Sequence, residues 1–316
     1  MTAPSLCILI CTHDRVELLG KTLASLNAAE APAGWRVEIL VIANACSDAT
    51  HVFLDDYQRS PGSRLPLRWR AESIPGKSNA LNHAIPLIDT DLVAFVDDDH
   101  RVDTAYLRAI CLAADKAPEA DLFCGRILPD WDGREPAWVH EHGRYRIYPL
   151  PVPRFDLGGE AREIDAAIAI PGGGNLFLRR AWLQRVGPFS VELGPMGHNL
   201  GGAEDIEWVL RALDLGARLR YVPEVVQYHY VDNDRLKFRY VVAKAFVRSA
   251  STVRVHSAHE GAIPLYMYRK LFGYFSSAVT AWSSARRRFY LVRLAATLGE
   301  IKGYRQARSD RRNRSG

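Results

Sequence analysis

Three consecutive aspartates, Asp97, Asp98 and Asp99, follow directly on the apolar run of residues 92–96. Adjacent carboxylates repel one another unless a cation neutralises them. Hard divalent ions such as Mg²⁺ and Mn²⁺ prefer carboxylate and phosphate oxygens, so the run indicates a site for a metal–diphosphate complex. An acidic helix start or a solvated turn is the alternative, because residues 106–113 have a helical pattern and a helix dipole favours acids at its N-terminus.

Lys77 lies in a segment that nearly fits the phosphate-binding P-loop. Residues 71–78 read AESIPGKS, with Ala71 where the pattern G-x-x-x-x-G-K-[ST] has its first glycine. Pro75 lacks a backbone N–H at a position where a phosphate cradle needs donors. A P-loop NTPase is therefore the weaker interpretation of this lysine.

Glu204 and Asp205 follow a Gly201-Gly202 turn at a predicted helix start. They suit the helix dipole, and Asp205 also suits a general base, which must lie near an acceptor hydroxyl and stay ionised. His229 lies in the apolar and aromatic run of residues 225–231. A histidine in such a run is usually a core residue, and only the other polar clusters favour a metal ligand here.

Each of these clusters follows an element that can position it. Apolar runs at residues 6–11, 37–43, 67–70 and 92–96 predict strands, and the segments between them have helical spacing. This alternation predicts an α/β fold with a doubly wound, mostly parallel sheet. Ligands bind such sheets at the carboxyl ends of the strands, where these clusters lie. Residues 129–159 have no clear periodicity and predict a long loop or lid.

Composition limits the class of protein. The 316 residues are 48% hydrophobic and 24% charged, as expected for a globular chain with a core. The chain has neither an apolar run long enough for a membrane span nor a secretory signal pattern, which predicts a cytoplasmic protein. Five cysteines without a C-x-x-C pair indicate buried, reduced thiols.

The C-terminal region is basic. Residues 286–316 contain ten Arg and Lys against two acids, a local charge of +8, so the preceding 285 residues carry −3. Leu291, Leu294, Leu298 and Ile301 form an apolar stripe beside these cations. Such a helix is typical of a membrane-surface element, although packing on the rest of the chain or on a second copy remains an alternative. No aromatic-lined groove accompanies the charge, so we expect no nucleic acid partner.

Seven segments, taken together and in order, resemble the inverting, GT-A-type family 2 glycosyltransferases. They read ICTHDR (10–15), VIANACSDAT (41–50), GKSNALN (76–82), FVDDD (95–99), GGGNLFLRR (172–180), GGAEDIE (201–207) and YVPEVVQYH (221–229). The resemblance implies a catalytic domain over residues 1–231, followed by a helical, basic region over residues 232–316. It also implies a nucleotide-sugar donor linked to UDP, GDP or dTDP, a divalent Mn or Mg ion, and a saccharide or lipid-linked acceptor.

The resemblance assigns roles by position. Donor-binding positions are Thr12, His13, Arg15, Asn44, Lys77, Asn82, Asp97 and Asp98. Metal positions are Asp97, Asp99 and His229, the catalytic base is Asp205, and the acceptor or sugar pocket contains Gly173, Gly174, Asn175 and Glu204. The expected activity is hexosyl transfer in surface polysaccharide or glycolipid synthesis, and a catalytically silent sugar-nucleotide binding protein is an alternative. Ala43 stands where the family commonly has an aspartate facing the base, so the base stays open.

Overall fold

The computed structural model describes residues 3–60, 64–193, 204–256 and 263–314. The chain divides into two compact units. The first combines residues 1–130 with 153–230, and the second combines residues 131–152 with 231–316. Residues 131–152, where the sequence predicts a loop or lid, thus group with the C-terminal helices. The Gly201-Gly202 turn lies outside the described residues.

The first unit is built on a nine-stranded sheet whose N-terminal half is parallel, in the order β3-β2-β1-β4. The strands are β1 Ser5–Thr12, β2 Arg36–Asn44, β3 Leu67–Glu72 and β4 Leu92–Phe95. Helices α1 Val16–Ala28, α2 Thr50–Arg59 and α3 Lys77–Ala84 connect them. Strand β1 is apolar from residue 6 to residue 11, as suits a strand covered on both faces: Ile8 belongs to one core cluster and Leu9 to the other.

The other half of the sheet is mixed. The remaining elements of this unit are β5 His100–Val102, α4 Tyr106–Lys116, β6 Leu122–Asp130, β7 Arg162–Ile164, β8 Leu176–Arg179, α5 Ala181–Val186, α6 Glu204–Asp214 and β9 Leu219–Tyr230. Strand β8 is antiparallel to β4 and β6, and β9 is parallel to β6 but antiparallel to β5 and β7. The predicted α/β, doubly wound fold is confirmed. The sheet is also mostly parallel, as predicted, because the four antiparallel pairings are only three residue pairs long each, whereas the parallel ones have four to eight.

The aspartate run forms the turn between β4 and β5. The His100 N–H donates to the Asp97 carbonyl at 3.1 Å, which closes the turn. Helix α4 begins only at Tyr106, after β5. The aspartates therefore form a turn and are not a helix cap, so the helix-start interpretation of the run is wrong.

The second unit is helical, with α7 Phe238–His256, α8 Leu265–Val279 and α9 Ser284–Arg314. Helix α9 packs closely on α7 through glycine: a Cβ at Gly299 would lie 2.1 Å from the Phe246 carbonyl oxygen, and one at Gly303 would lie 2.5 Å from that of Ala250. Ile301 is consequently buried, whereas Leu298 is partly exposed. Among the described helices, none combines the length and apolarity that crossing a membrane requires.

Candidate active site

A cavity of about 550 Å³ opens at the carboxyl ends of β1, β2 and β4. Seven of the eight predicted donor-binding residues line it, and so do Asp99 and His229. The full lining is Cys11, Thr12, His13, Arg15, Asn44, Ala45, Pro75, Gly76, Lys77, Asp97, Asp98, Asp99 and His229. The volume lies within the range of pockets that enclose small-molecule ligands.

Asp98 is the buried member of the aspartate run. Thr12 Oγ1 donates to its Oδ2 at 2.7 Å, and Arg15 Nη1 donates to its Oδ1 at 3.1 Å. Burial, reinforced by the neighbouring Asp99, raises the pKa of Asp98 to about 6. Both carboxylate oxygens are thus used within the protein, and Asp98 holds the loop after β1 against the aspartate turn.

Asp97 is paired with Lys77. The Nζ of Lys77 lies 2.6 Å from Asp97 Oδ1. Burial opposes ionisation of Asp97, but the ammonium of Lys77 outweighs it and holds the pKa of this carboxyl well below its usual range. The ion pair places a fixed cation at the wall of the cavity, where it can meet an anionic ligand.

The P-loop interpretation does not fit the backbone before Lys77. The Gly76 N–H donates to Asn44 Oδ1 at 2.8 Å, and the amide of Asn44 donates to the Ile74 carbonyl at 2.7 Å. Pro75 has no N–H, so the two residues before Lys77 offer no free backbone donor to a phosphate. Asn44 therefore organises this loop while also lining the cavity.

Asp99 lies beside two histidines. Its Oδ1 is 3.7 Å from His229 Nε2 and 3.9 Å from His100 Nε2, and its Oδ2 accepts a hydrogen bond from Arg15 at 3.0 Å. The two rings meet because β5 pairs with β9 and places His100 directly opposite His229. His100 is absent from the residues predicted from sequence. A three-residue strand after an aspartate run has no periodicity from which to predict this pairing.

Hydrogen bonds determine which nitrogen of each ring carries the proton. Gln227 donates through Nε2 to the Gly174 carbonyl at 2.7 Å, so its Oε1 must accept from His100 Nδ1 at 2.8 Å. His229 Nδ1 likewise donates to the Tyr230 carbonyl at 2.6 Å. In their neutral forms both rings therefore carry the lone pair on Nε2, the nitrogen that faces Asp99.

The site has the donor set of a divalent cation site. His100 is buried, its Nε2 has no hydrogen-bond partner among the described residues, and burial lowers its pKa, which favours the neutral ring. Ligand atoms of Asp99, His100 and His229 all lie within 4.8 Å of one another. Ligating histidines typically donate their other ring N–H to a carbonyl or carboxylate, as both do here. Asp97 lies next to this group of three but outside it, with its Oδ2 4.0 Å from His100 Nε2.

Asp205 lies on the first turn of α6, next to the glycine run. The Gly173 N–H donates to its Oδ2, and its own Oδ1 accepts from the Ile206 N–H at 2.7 Å. A Cβ at Gly173 would lie 3.1 Å from Asp205, and one at Gly174 would lie 2.3 Å from Asp97 Oδ2. The two adjacent glycines thus lie between the predicted base and the aspartate turn, in a space too narrow for a side chain.

Three further residues predicted for the site, Asn82, Asn175 and Glu204, are not among those that line the cavity. The amide of Asn82 exchanges two hydrogen bonds with the backbone of Phe189, and that of Asn175 exchanges two with the backbone of Gly125. Glu204 is buried beside Asp205, its Oε2 lacks a partner among the described residues, and burial raises its pKa.

Ala43, which departs from the family pattern, is fully buried in the core, whereas the next two residues, Asn44 and Ala45, line the cavity. A ligand at this edge of the sheet therefore meets the amide of Asn44 and the exposed ring of His13. The residues of the β2 loop that line the cavity supply no carboxylate.

The five cysteines are free thiols, as predicted, although Cys11 and Cys46 are only partly buried.

Solved structures with a similar fold are glycosyltransferases. TarS (1–349) of S. aureus in complex with UDP-GlcNAc matches with a TM-score of 0.56 and 16% identity, over 98% of this chain and 92% of that one. The mannosyltransferase PcManGT of Pyrobaculum calidifontis in complex with GDP-Man and Mn²⁺ matches with a TM-score of 0.55 and 16% identity, over 94% and 86%. No curated protein has a significant sequence match. At 16% sequence identity these matches show a shared fold and nothing more.

The sequence itself matches a family model directly. Residues 7–187, more than half of the chain, match Glycosyl transferase family 2. This segment includes β1, the loop with Lys77, the aspartate turn and the glycine run, which are the parts that build the cavity. The chain therefore belongs to glycosyl transferase family 2 and is a glycosyltransferase.

Proposed function

We propose that this protein is an inverting, metal-dependent glycosyltransferase that takes its sugar from a nucleotide-diphosphate donor. The observation that carries the proposal is the convergence of Asp97, Asp99, Lys77 and His229 on one cavity. His100 is buried next to Asp99 and His229, and two glycines separate Asp205 from the aspartate turn. Such a site offers cation ligands and a fixed ammonium to a diphosphate, and a carboxylate to an acceptor hydroxyl.

The metal would be held by Asp99 and His229, as the family resemblance implies, and by His100. A divalent ion there would neutralise charge that develops on the diphosphate as the leaving nucleotide departs. Two imidazole ligands suit Mn²⁺ better than Mg²⁺, because imidazole favours transition metals over Mg²⁺. Lys77 contributes a second positive charge to the same diphosphate, while Asp97 orients Lys77 through its 2.6 Å contact.

Asp205 acts as the general base. Its two oxygens accept backbone N–H groups of Gly173 and Ile206, which orient the carboxylate without using all of its lone pairs. It takes the proton of the acceptor hydroxyl as that oxygen attacks the anomeric carbon of the donor sugar. Attack from the side opposite the diphosphate inverts the configuration at that carbon.

The donor and acceptor are proposed only as classes. The nucleotide is UDP, GDP or dTDP; the neighbouring structures hold UDP-GlcNAc in one case and GDP-Man in another. The acceptor is a saccharide or lipid-linked hydroxyl, and hexosyl transfer in surface polysaccharide or glycolipid synthesis is the proposed setting. A cytoplasmic location belongs to the same proposal.

A thermal-shift screen of UDP-, GDP- and dTDP-sugars with and without Mn²⁺ tests the donor and the metal together. A ligand present at 100 times its Kd stabilises a protein by about 2.7 kcal/mol, so the true donor raises Tm by several degrees, and only when Mn²⁺ is present. Asp99→Asn should abolish this metal-dependent shift. A screen without any metal-dependent shift contradicts the proposal.

Asp205→Asn separates catalysis from binding. The variant keeps the carboxyl shape and should bind donor and Mn²⁺ with the wild-type thermal shift, while losing sugar transfer and donor hydrolysis. A wild-type protein that binds the donor but releases no nucleotide with any acceptor would instead be a silent binding protein. An Asp205→Asn variant with full turnover removes Asp205 from the role of base.

A further inference from the structure

One face of α8 is apolar and exposed along its whole length. Six residues recur at alternating spacings of three and four on this face, which we call the α8 face, and the last of them lies three residues beyond the end of the helix. Their exposed fractions are high: Leu265 83%, Tyr268 45%, Phe272 74%, Phe275 55%, Val279 66% and Trp282 79%. Large apolar side chains usually face a core at this spacing, and none of the described residues covers these six.

The opposite face of α8 is the packed one. Met267 and Ala278 are 2% and 5% exposed, and the Nζ of Lys270 lies 2.8 Å from Glu300 Oε2 of α9. The helix is therefore seated in the second unit by one side. The packed side of α8 already has its partners within the second unit. The apolar side therefore stays exposed in the folded protein.

The surroundings of the α8 face are positively charged. Residues 263–299 contain six Arg and Lys and no acidic residue. Two of the six are neutralised, Lys270 by Glu300 and Arg288 by Glu141, so the positive charge comes from Arg269, Arg286, Arg287 and Arg293. Arg269 is exposed and lies one helical turn from both Leu265 and Phe272. An apolar and aromatic face with an exposed arginine at one helical turn from its members complements a surface that is apolar inside and negatively charged outside.

We propose that the α8 face lies on an anionic phospholipid bilayer, with the helix parallel to the membrane plane. Aromatic side chains such as those of Trp282 and Tyr268 favour the membrane–water interface, and the basic residues favour anionic headgroups. A second copy of this chain fits less well. Two α8 faces brought together would oppose Arg269 with further cations and supply no acid from residues 263–299 to neutralise them.

The helix that meets the membrane is then α8 and not α9. The sequence indicates the stripe Leu291, Leu294, Leu298 and Ile301 of α9, but α9 turns its small residues Gly299 and Gly303 onto α7 and buries Ile301. The α8 face remains for the bilayer. The inference is independent of the glycosyl transfer reaction, although a bilayer-bound enzyme would meet a lipid-linked acceptor in the plane of the membrane.

Vesicle flotation of the full-length protein tests the proposal. The wild type should float with vesicles containing phosphatidylglycerol, float less with phosphatidylcholine alone, and lose binding as salt is raised. Replacing Phe272, Phe275 and Trp282 together by Ser should weaken binding by about tenfold or more. Because these side chains are exposed, circular dichroism and Tm should match the wild type.

The matched control replaces two exposed apolar residues of the first unit, Val52 and Leu112, by Ser, and it should float like the wild type. Arg269→Glu tests the charge and should weaken binding to anionic vesicles only. Wild type that stays unbound at low salt overturns the proposal, and so does a triple variant that floats normally. A wild-type dimer that the triple variant loses, without vesicle binding, would assign the face to a second copy instead.

Discussion

Gly174→Ala is the sharpest test of how the site is built. An added Cβ would lie 2.3 Å from Asp97 Oδ2 and 2.6 Å from its Cγ, about 1 Å closer than ordinary contact distances for such atoms. Neither side can move freely. The other oxygen of Asp97 is 2.6 Å from Lys77 Nζ, and the Gly174 carbonyl accepts the amide of Gln227 at 2.7 Å.

The clash should lower both the free energy of unfolding and the affinity for Mn²⁺. Overpacking of a tight site costs about 1–3 kcal/mol of the free energy of unfolding, and urea unfolding should show this loss. The same Cβ would approach His100 Cε1 to 3.1 Å. Displacing the residues that orient a metal ligand lowers metal affinity by about 10- to 100-fold, so Mn²⁺ titration should show a loss of that order.

Gly172→Ala is the matched control from the same glycine run. Its Cβ would lie 3.6 Å from Asp205 Oδ2, an ordinary contact, and its backbone φ of −73° suits any residue. This variant should keep the unfolding midpoint and Mn²⁺ affinity of the wild type. If Gly174→Ala behaves like Gly172→Ala in both measurements, the close approach of the glycine run to Asp97 is refuted.

Three further predictions concern single side chains. His100→Ala should weaken Mn²⁺ binding by about tenfold or more, measured by electron paramagnetic resonance of free Mn²⁺; an unchanged affinity removes His100 from the site. Asn175→Ala should lower the free energy of unfolding by about 2–5 kcal/mol, because it leaves the buried N–H and carbonyl of Gly125 without partners; a loss confined to donor binding would contradict this structural role. Glu204 has a raised pKa, so the folded state disfavours its ionised form, and the stability that depends on its protonation is complete below the ordinary pKa and lost as pH rises through the raised one. Glu204→Gln should therefore flatten the decline of the urea midpoint as pH rises above the ordinary pKa of a glutamate, and an unchanged pH profile would exclude Glu204 as its source.

Much of the cavity follows from local sequence. Continuous apolar runs predict strands buried on both faces, and parallel strands joined by helices bring their carboxyl ends to one edge. Thr12, Asn44 and Asp97 each end such a run, so their meeting at one cavity needs no long-range information beyond strand order. Lys77 joins them because its helix begins at the same edge.

Other features were decided only by tertiary structure. His100 becomes a neighbour of His229 through an antiparallel pairing of β5 and β9, strands that are far apart in sequence, and no local pattern encodes such a pairing. Asn82 and Asn175 match the family motif, yet their amides satisfy backbone groups of other elements, since buried N–H and C=O groups must find partners wherever the fold leaves them. Only packing decides which apolar helix face is covered.

The sequence by itself thus determined the α/β class, the family and the chemistry gathered at the strand ends, because periodicity and strand-end residues are local properties. Tertiary structure decided which carboxylates remain available: Asp98 is used by Thr12 and Arg15, whereas Asp99 faces two histidine lone pairs. It also decided that the α8 face is exposed along its length, whereas Ile301 of the α9 stripe is buried and Leu291 and Leu294 are half-buried. Contacts between residues distant in the chain set both outcomes, and such contacts depend on how the elements pack.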